Sequence, residues 1–328
     1  MKPLLCIIPF VLGCGLLAGC GTAANAGKTQ PLTAVTVGMG YIPNVQFAPF
    51  YVAQTKGYYR RAGLNVRFNY AIEPDLLTLA NEGKLDFVNA GGDEVVAADA
   101  HGLHVRYVMT EYSRFPSALF ALRSSGIRTI NDLKGRTIGV PGTYGASYVG
   151  LLALLHHAGL SRSSVSIESI NYTQVPAVAN HKVDAAEGYA MNEPIELRAE
   201  GKQVTEFDVW RWANLAGAGI SAGDRFISAH PSIVRAFVRA TLQGLAYTLA
   251  HPRAAFTISA RAVPITSGQT VQWHVLQRAI DFWRPETGKP LGYVDPAVWS
   301  LTDRLLARYG ETPHTVPVSS LYSNAYIR

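Results

Sequence analysis

The sequence predicts an α/β protein of two lobes, each built on a mainly parallel sheet flanked by helices. Segments typical of strands alternate with apolar helical segments as far as residue 209, and alternation of this kind is typical of parallel sheets covered by helices. The alternation is interrupted near residue 120, which divides it into two sets. The chain has 328 residues, 48% of them hydrophobic, which suits two lobes with substantial cores.

The first set opens with the β-branched segment 35–39. The apolar segment that follows ends in Lys56-Gly57, a typical helix stop. Continuing in this way, the pattern predicts strands at 35–39, 65–70, 85–89 and 105–109, and helices at 47–57, 75–82 and 94–101. Residues 117–123 then form an extended apolar connection.

The second set follows a helical turn at 130–133. Its predicted strands are 136–140, 165–170, 183–188 and 204–209, and its predicted helices are 146–157, 175–180 and 194–200. Beyond residue 231 the pattern is helical, and these helices are expected to pack on the first lobe: 231–250, 252–261, 269–283 and 296–309. We therefore expect lobe one from 34–118 plus 222–328, lobe two from 124–215, and crossings at 119–123 and 216–221. Ligands bind beyond the carboxyl ends of strands in such sheets, so two facing lobes form a ligand cleft.

The cysteines belong to the N-terminal segment. Cys6, Cys14 and Cys20 are the three cysteines of the chain, so the body has neither a disulfide framework nor a cysteine-based metal site. The apolar stretch 4–17 suits the central region of a signal peptide, and it is too short to span a membrane. It ends in Leu17-Ala18-Gly19-Cys20, which resembles the bacterial lipobox.

The lipobox resemblance implies that residues 1–19 are removed and that Cys20 is acylated; an ordinary signal peptide with an incidental cysteine is the alternative. Residues 20–33 then form a flexible tether that holds the body at the extracytoplasmic face of the cell membrane. The formal net charge is +6, but the longest basic run is Arg60-Arg61, so the chain lacks the basic stripe typical of nucleic-acid binding.

A family resemblance is carried by motifs spread in order along the mature chain. They are GYIPNVQFAPFYVAQ at 40–54, KGYY at 56–59, AGLNV at 62–66, PGTYGASYVG at 141–150, VDA at 183–185 and YAMNEP at 189–194. Together they resemble the solute-binding proteins of ABC importers for thiamine-pyrimidine precursors and riboflavin, a group related to sulfonate and taurine binders. The resemblance implies a type II periplasmic-binding-protein fold, a small heterocyclic ligand in the interlobe cleft, an ABC permease with its ATPase as partner, and no cofactor. We expect a monomer.

Candidate ligand contacts follow the predicted strands. Asn44 and Gln46 can donate and accept hydrogen bonds to a heterocycle, and Phe47 is either a ligand contact or part of the core. A second group of candidates lies in the glycine-rich turn 141–147. This turn either presents free backbone N–H groups to a ligand at the start of a helix or is only a capped strand-to-helix turn. Its candidate residues are Gly142, Gly145, Ala146 and Ser147.

Tyr189 and Glu193 form the principal predicted pair. In the pyrimidine-precursor binders that the chain resembles, a carboxylate at the matching place binds the aminopyrimidine while aromatic residues stack on its ring. The alternative for Glu193 is a structural role, as an acid favoured at the start of a helix by the helix dipole. Asn192 either caps this helix or contacts the ligand. Asp93 is either an N-cap or a ligand contact, and Tyr112 and Trp210 are candidate stacking platforms.

The expected ligand is a thiamine-pyrimidine precursor, with riboflavin as the alternative. A sulfonate- or nitrate-type anion is less favoured because Asp93, Glu111, Glu187 and Glu193 near the strand ends would repel it. We expect no enzyme activity: the related pyrimidine synthase of yeasts uses a cysteine cluster for iron, and the mature body has no cysteine for it. The histidines lack metal-site spacing, so no metal is expected.

Overall fold

The computed structural model describes residues 31–264 and 268–328. The predicted signal peptide, Cys20 and most of the predicted tether lie outside these residues. The body contains two five-stranded sheets. The first comprises β1 (Thr33–Gly40), β2 (Leu64–Ala71), β3 (Phe87–Gly91), β4 (Val105–Thr110) and β10 (Ala218–Gly223). The second comprises β5 (Ser117–Leu122), β6 (Thr137–Val140), β7 (Ser166–Ser169), β8 (Ala185–Tyr189) and β9 (Val204–Asp208).

Each sheet has four strands in one direction and one strand in the other. The order is β2-β1-β3-β10-β4 in the first sheet and β7-β6-β8-β5-β9 in the second. In the first, β10 runs antiparallel to β3 and β4. In the second, β5 runs antiparallel to β8 and β9. The predicted α/β class with mainly parallel sheets is therefore confirmed, and the two sheets share one plan.

Helices follow most of the strands and cover the sheets. Those of the N-terminal half are α1 (Ala48–Thr55), α2 (Tyr58–Arg61), α3 (Glu73–Asn81), α4 (Gly92–Ala100) and α5 (Gly145–His157). The next are α6 (Gln174–Ala179), α7 (Glu193–Ala199) and α8 (Asp224–Ala229). The C-terminal ones are α9 (Pro231–Ala250), α10 (Pro252–Ala262), α11 (Gln269–Trp283) and α12 (Pro296–Tyr309). No helix in the described part of the chain is both long and apolar enough to cross a membrane.

The C-terminal helices pack on the first sheet through aromatic side chains. Phe237 of α9 stacks on Phe87 of β3 with ring centroids 4.1 Å apart and on Tyr59 of α2 at 5.4 Å. Trp299 of α12 meets Tyr107 of β4 edge to face at 5.0 Å. These contacts bury large aromatic surfaces, which contribute strongly to core stability.

The chain passes between the sheets twice. It leaves β4 at Thr110 and enters β5 at Ser117, and it leaves β9 at Asp208 and enters β10 at Ala218. The segments predicted as crossings, 119–123 and 216–221, therefore overlap β5 and β10. These two antiparallel strands were not predicted as strands: Ala-Gly-Ile-Ser-Ala-Gly has little β propensity, and 117–122 follows another predicted strand with no helix between them. The lobe boundaries themselves stay a proposal.

Candidate functional site

A cleft lies between the carboxyl ends of strands from the two sheets. Its lining includes Tyr41 after β1, Ile72 after β2, Pro141 after β6 and Tyr189 at the end of β8. The empty space, counted to its open mouth and including the solvent there, is about 870 Å³. The other lining residues are Gly40, Asn44, Gln46, Phe47, Glu73, Asn89, Tyr112, Tyr144, Gly145, Ala146, Ser147, Tyr172, Gln174, Asn192, Glu193 and Ala218.

The cleft has a buried floor and an exposed aromatic mouth. Gln46, Phe47 and Tyr112 at the floor are buried. Tyr144 and Tyr172, by contrast, are 42% and 52% exposed. Large exposed aromatic residues beside a pocket leave apolar surface for a ligand to cover.

Aromatic rings from both lobes face each other in the cleft. The ring centroids of Tyr41 and Tyr172 are 5.3 Å apart, and those of Tyr112 and Tyr189 are 6.4 Å apart. Tyr41 has a backbone φ of 86°, an unfavourable conformation for a bulky residue. Such strained residues are concentrated at functional sites. A flat ring system bound in the cleft would contact tyrosine rings from both lobes.

Amide side chains join the two lobes at the floor. Gln46 Nε2 donates to Asn192 Oδ1 at 2.8 Å, and the Tyr112 hydroxyl donates to Gln46 Oε1 at 3.3 Å. Asn44 caps the turn Val45–Phe47 by accepting the Gln46 N–H at 3.0 Å. Asn192 thus contacts the other lobe and makes no side-chain cap on α7.

Glu193 is fixed at the start of α7 by backbone contacts. Its Oε2 accepts the Tyr189 N–H at 3.0 Å, and Gly188 leaves room for the carboxylate, since a Cβ there would lie 2.7 Å from Oε2. Burial raises the pKa of Glu193 to about 7. Burial thus favours the protonated form of this carboxyl, which can donate to a ligand, whereas the ionised form can only accept.

A group of acids lies below the mouth on the first lobe. Burial raises the pKa of Asp93 to about 7, with the nearby Glu73 charge as the second cause. Burial followed by the Glu73 charge also raises the pKa of Glu94 well above its ordinary value. Glu73 itself lines the cleft, and burial raises its pKa as well.

Asn89 is held at the floor by a buried acid. Its Nδ2 donates to Glu111 Oε2 at 2.7 Å. Burial raises the pKa of Glu111 to about 8, although the Asn89 hydrogen bond opposes this. Glu111 therefore orients a lining amide without lining the cleft itself.

Three predicted ligand contacts lie outside the lining. Trp210 is enclosed by the guanidinium groups of Arg114 and Arg211, at 4.6 and 4.7 Å from its ring. Gly142 lies under the Tyr144 ring, where a Cβ would clash with that ring. Asp93 is buried behind the lining, and Gly91 occupies the N-cap position of α4 that was predicted for Asp93.

The structure brings the other predicted site residues to the cleft and adds residues that the sequence analysis missed. Ligand contact by any of them stays a prediction. Glu73 was missed although Glu73-Pro74 starts α3 just as Glu193-Pro194 starts α7, which is a usable signal. Tyr172 comes from a segment without a motif. The remaining additions are Gly40, Tyr41, Ile72, Asn89, Pro141, Tyr144, Gln174 and Ala218.

Comparison with known proteins identifies the family. Residues 44–255 match the family described as NMT1/THI5 like. The chain belongs to this family. Riboflavin-binding protein RibY of Chloroflexus aurantiacus is 41% identical over 318 residues, which cover 94% of this chain and 91% of RibY.

Two further matches are more distant, one in sequence and one in fold. The 4-amino-5-hydroxymethyl-2-methylpyrimidine phosphate synthase of Legionella pneumophila is 29% identical over 238 residues, 70% of this chain and 74% of the synthase. The periplasmic aliphatic sulphonate binding protein SsuA of Escherichia coli superimposes with a TM-score of 0.71 at 17% identity, over 90% of this chain and 99% of SsuA. At that identity the likeness concerns the fold alone, and it confirms the predicted periplasmic-binding-protein fold.

Proposed function

We propose that this protein is the solute-binding component of an ABC importer and that it binds riboflavin in the interlobe cleft. The 41% identity to RibY over 94% of the chain carries this choice of ligand. The aromatic lining of the cleft supports it independently. Riboflavin therefore takes precedence over the pyrimidine precursor that the sequence analysis placed first.

The lining suits the chemistry of a flavin. The isoalloxazine ring is flat and neutral, and one edge carries two carbonyl acceptors and an N–H donor. Tyr41, Tyr172 and Tyr189 offer aromatic faces and edges to such a ring. Gln46 and Asn192 offer amides that both donate and accept.

The contacts between the lobes support a closing motion around the ligand. Gln46 and Asn192 link the lobes inside the cleft, and Arg278 of α11 links them outside it. Arg278 Nη2 lies 2.7 Å from Asp208 Oδ1 and 3.2 Å from Glu206 Oε1. A ligand that touches both lobes stabilises the closed state by its differential affinity. The closed state would then be delivered to a permease.

An aminopyrimidine is the second candidate ligand. Glu193 favours it, because a carboxyl group can pair with an exocyclic amine and a protonated ring nitrogen. The synthase relative is named for a product of this chemical class. We propose binding without catalysis, as in RibY, which is named a binding protein.

Anchoring at the extracytoplasmic face completes the proposal. It depends on Cys20 and the lipobox-like segment before it. A short lipid-linked tether would keep a soluble body close to the permease.

The direct test is to identify what the protein carries. The mature protein is purified without denaturant, its small molecules are released by heat, and they are identified by absorbance and mass. We expect a yellow, fluorescent extract with the mass of riboflavin. A colourless extract containing an aminopyrimidine would favour the second candidate, and reconstitution of the stripped protein with each ligand would distinguish an empty site from a wrong assignment.

A further inference from the structure

The N-terminus of α5 opens into the cleft without a side-chain cap. This helix has 13 residues and starts at Gly145, which lines the cleft. The first N–H groups of a helix lack partners within it, so such a terminus normally attracts anions. In this protein, however, acidic side chains of the opposite lobe reach it first.

Glu73 and Glu94 lie against this helix terminus. A Cβ placed on Gly145 would lie 3.4 Å from Glu94 Oε1 and 4.0 Å from Glu73 Oε2. Gly145 has a φ of 68°, so a glycine suits both the backbone and the close approach of the acids. Gly40 is equally necessary on the other side, because a Cβ there would clash with the Glu73 side chain.

The two acids are built into the fold and have no cation opposite them in the cleft. Glu94 is only 7% exposed. None of the described residues that line the cleft is a lysine, arginine or histidine. The Glu73 charge is itself a cause of the raised pKa of Glu94, so the pair keeps one negative charge when Glu94 is protonated. A bound phosphate, which carries about −1.5 to −2 charges at neutral pH, would therefore meet that charge and no cation.

The two acids lie beside the mouth of the cleft, where a side chain of the ligand would leave it. Glu73 follows Ile72 and Gly145 follows Tyr144, and both Ile72 and Tyr144 are exposed lining residues. A side chain of the ligand that leaves the cleft must pass these residues. A phosphate on a chain that stays inside would be buried without a cation, which is costlier still.

We propose that the Glu73–Glu94 pair at the N-terminus of α5 is a charge filter that admits neutral heterocycles and rejects their phosphorylated forms. The choice of riboflavin and flavin mononucleotide as probes rests on the proposed function. The filter itself concerns the charge of the ligand and depends on the cleft alone.

The test measures both flavins against three proteins by titration calorimetry. These are the wild type, Glu73→Gln/Glu94→Gln, and the control Glu82→Gln, which removes an acid on the solvent-exposed surface. We expect the wild type and the control to bind riboflavin roughly a hundredfold more tightly than flavin mononucleotide, since placing like charges together opposes binding. The double variant should bind flavin mononucleotide at least about tenfold more tightly than the wild type does, with little change for riboflavin.

Each outcome decides the proposal. Equal binding of both flavins by the wild type overturns the filter, and so does a double variant that gains no affinity for flavin mononucleotide. If the wild type binds neither flavin but the double variant binds flavin mononucleotide, the filter stands and riboflavin as the natural ligand falls. Circular dichroism checks folding, and Glu73→Gln alone, at a half-buried position, replaces the double variant if that fails to fold.

Discussion

Glu111→Gln should make the protein less sensitive to alkaline pH. Glu111 is 1% exposed, and only its Oε2 has a hydrogen-bond partner, the Asn89 amide. A glutamine has nearly the same shape, and its carbonyl oxygen can still accept from Asn89. The substitution therefore removes the ionisable group while keeping the lining amide in place.

The expected magnitude follows from the raised pKa. The pKa of Glu111 rises from about 4.5 to about 8 on folding. The folded protein thus holds this proton more tightly than the unfolded chain, so the free energy of unfolding falls as the pH rises from about 4.5 through 8. With ~1.4 kcal/mol for each pH unit, and allowing for partial ionisation, Glu111 removes roughly 2–3 kcal/mol of wild-type stability between pH 6 and pH 9.

Urea unfolding at pH 6 and pH 9 measures this effect. The wild type should lose about 2–3 kcal/mol more than Glu111→Gln over this interval, and the variant should retain its riboflavin affinity at pH 6. The surface variant Glu82→Gln should follow the wild type. Equal losses in the wild type and Glu111→Gln would refute the assignment of a buried, neutral Glu111.

Three other predictions concern the ligand, the lobe contact and the anchor. Tyr189→Ala should weaken riboflavin binding by about 1–2 kcal/mol, more than Glu193→Gln does, and calorimetry with an aminopyrimidine should give the reverse order if that is the ligand. Arg278→Ala should lower the unfolding free energy by roughly 1–3 kcal/mol in thermal or urea denaturation, because it leaves the buried Asp208 with a weaker partner; an unchanged value would show that the ion pair contributes nothing. Cys20→Ala should abolish metabolic labelling with a fatty acid, and labelling that persists would contradict the lipoprotein assignment.

The alternating pattern predicted the α/β class because helices follow most of the strands. It missed β10, whose place in the sheet depends on contacts distant in sequence. Gly219 of β10 lies so close to the Tyr107 hydroxyl and the Met109 carbonyl oxygen that a Cβ there would clash with both. Local propensity does not contain this information, because the close neighbours that leave no room for a side chain at this position come together only in the assembled sheet.

The site was predictable in part from the loops that follow the strands. Gln46, Tyr112 and Glu193 reach the cleft for that reason, since the carboxyl ends of the strands converge there. Trp210 also follows a strand, but two arginines enclose its ring beside the cleft. Tyr172 was not predictable, because its segment carries no motif and its neighbour at the mouth, Tyr41, belongs to the other lobe.

Titration of riboflavin fluorescence with the mature, ligand-stripped protein tests the central claim most directly. We predict saturable quenching with one riboflavin per chain, because the tyrosine rings of the cleft pack on the isoalloxazine. Tyr189→Ala should weaken the binding that this titration measures. The absence of quenching and of heat release at riboflavin concentrations up to roughly 100 µM, with the protein shown to be folded, would contradict riboflavin as the ligand.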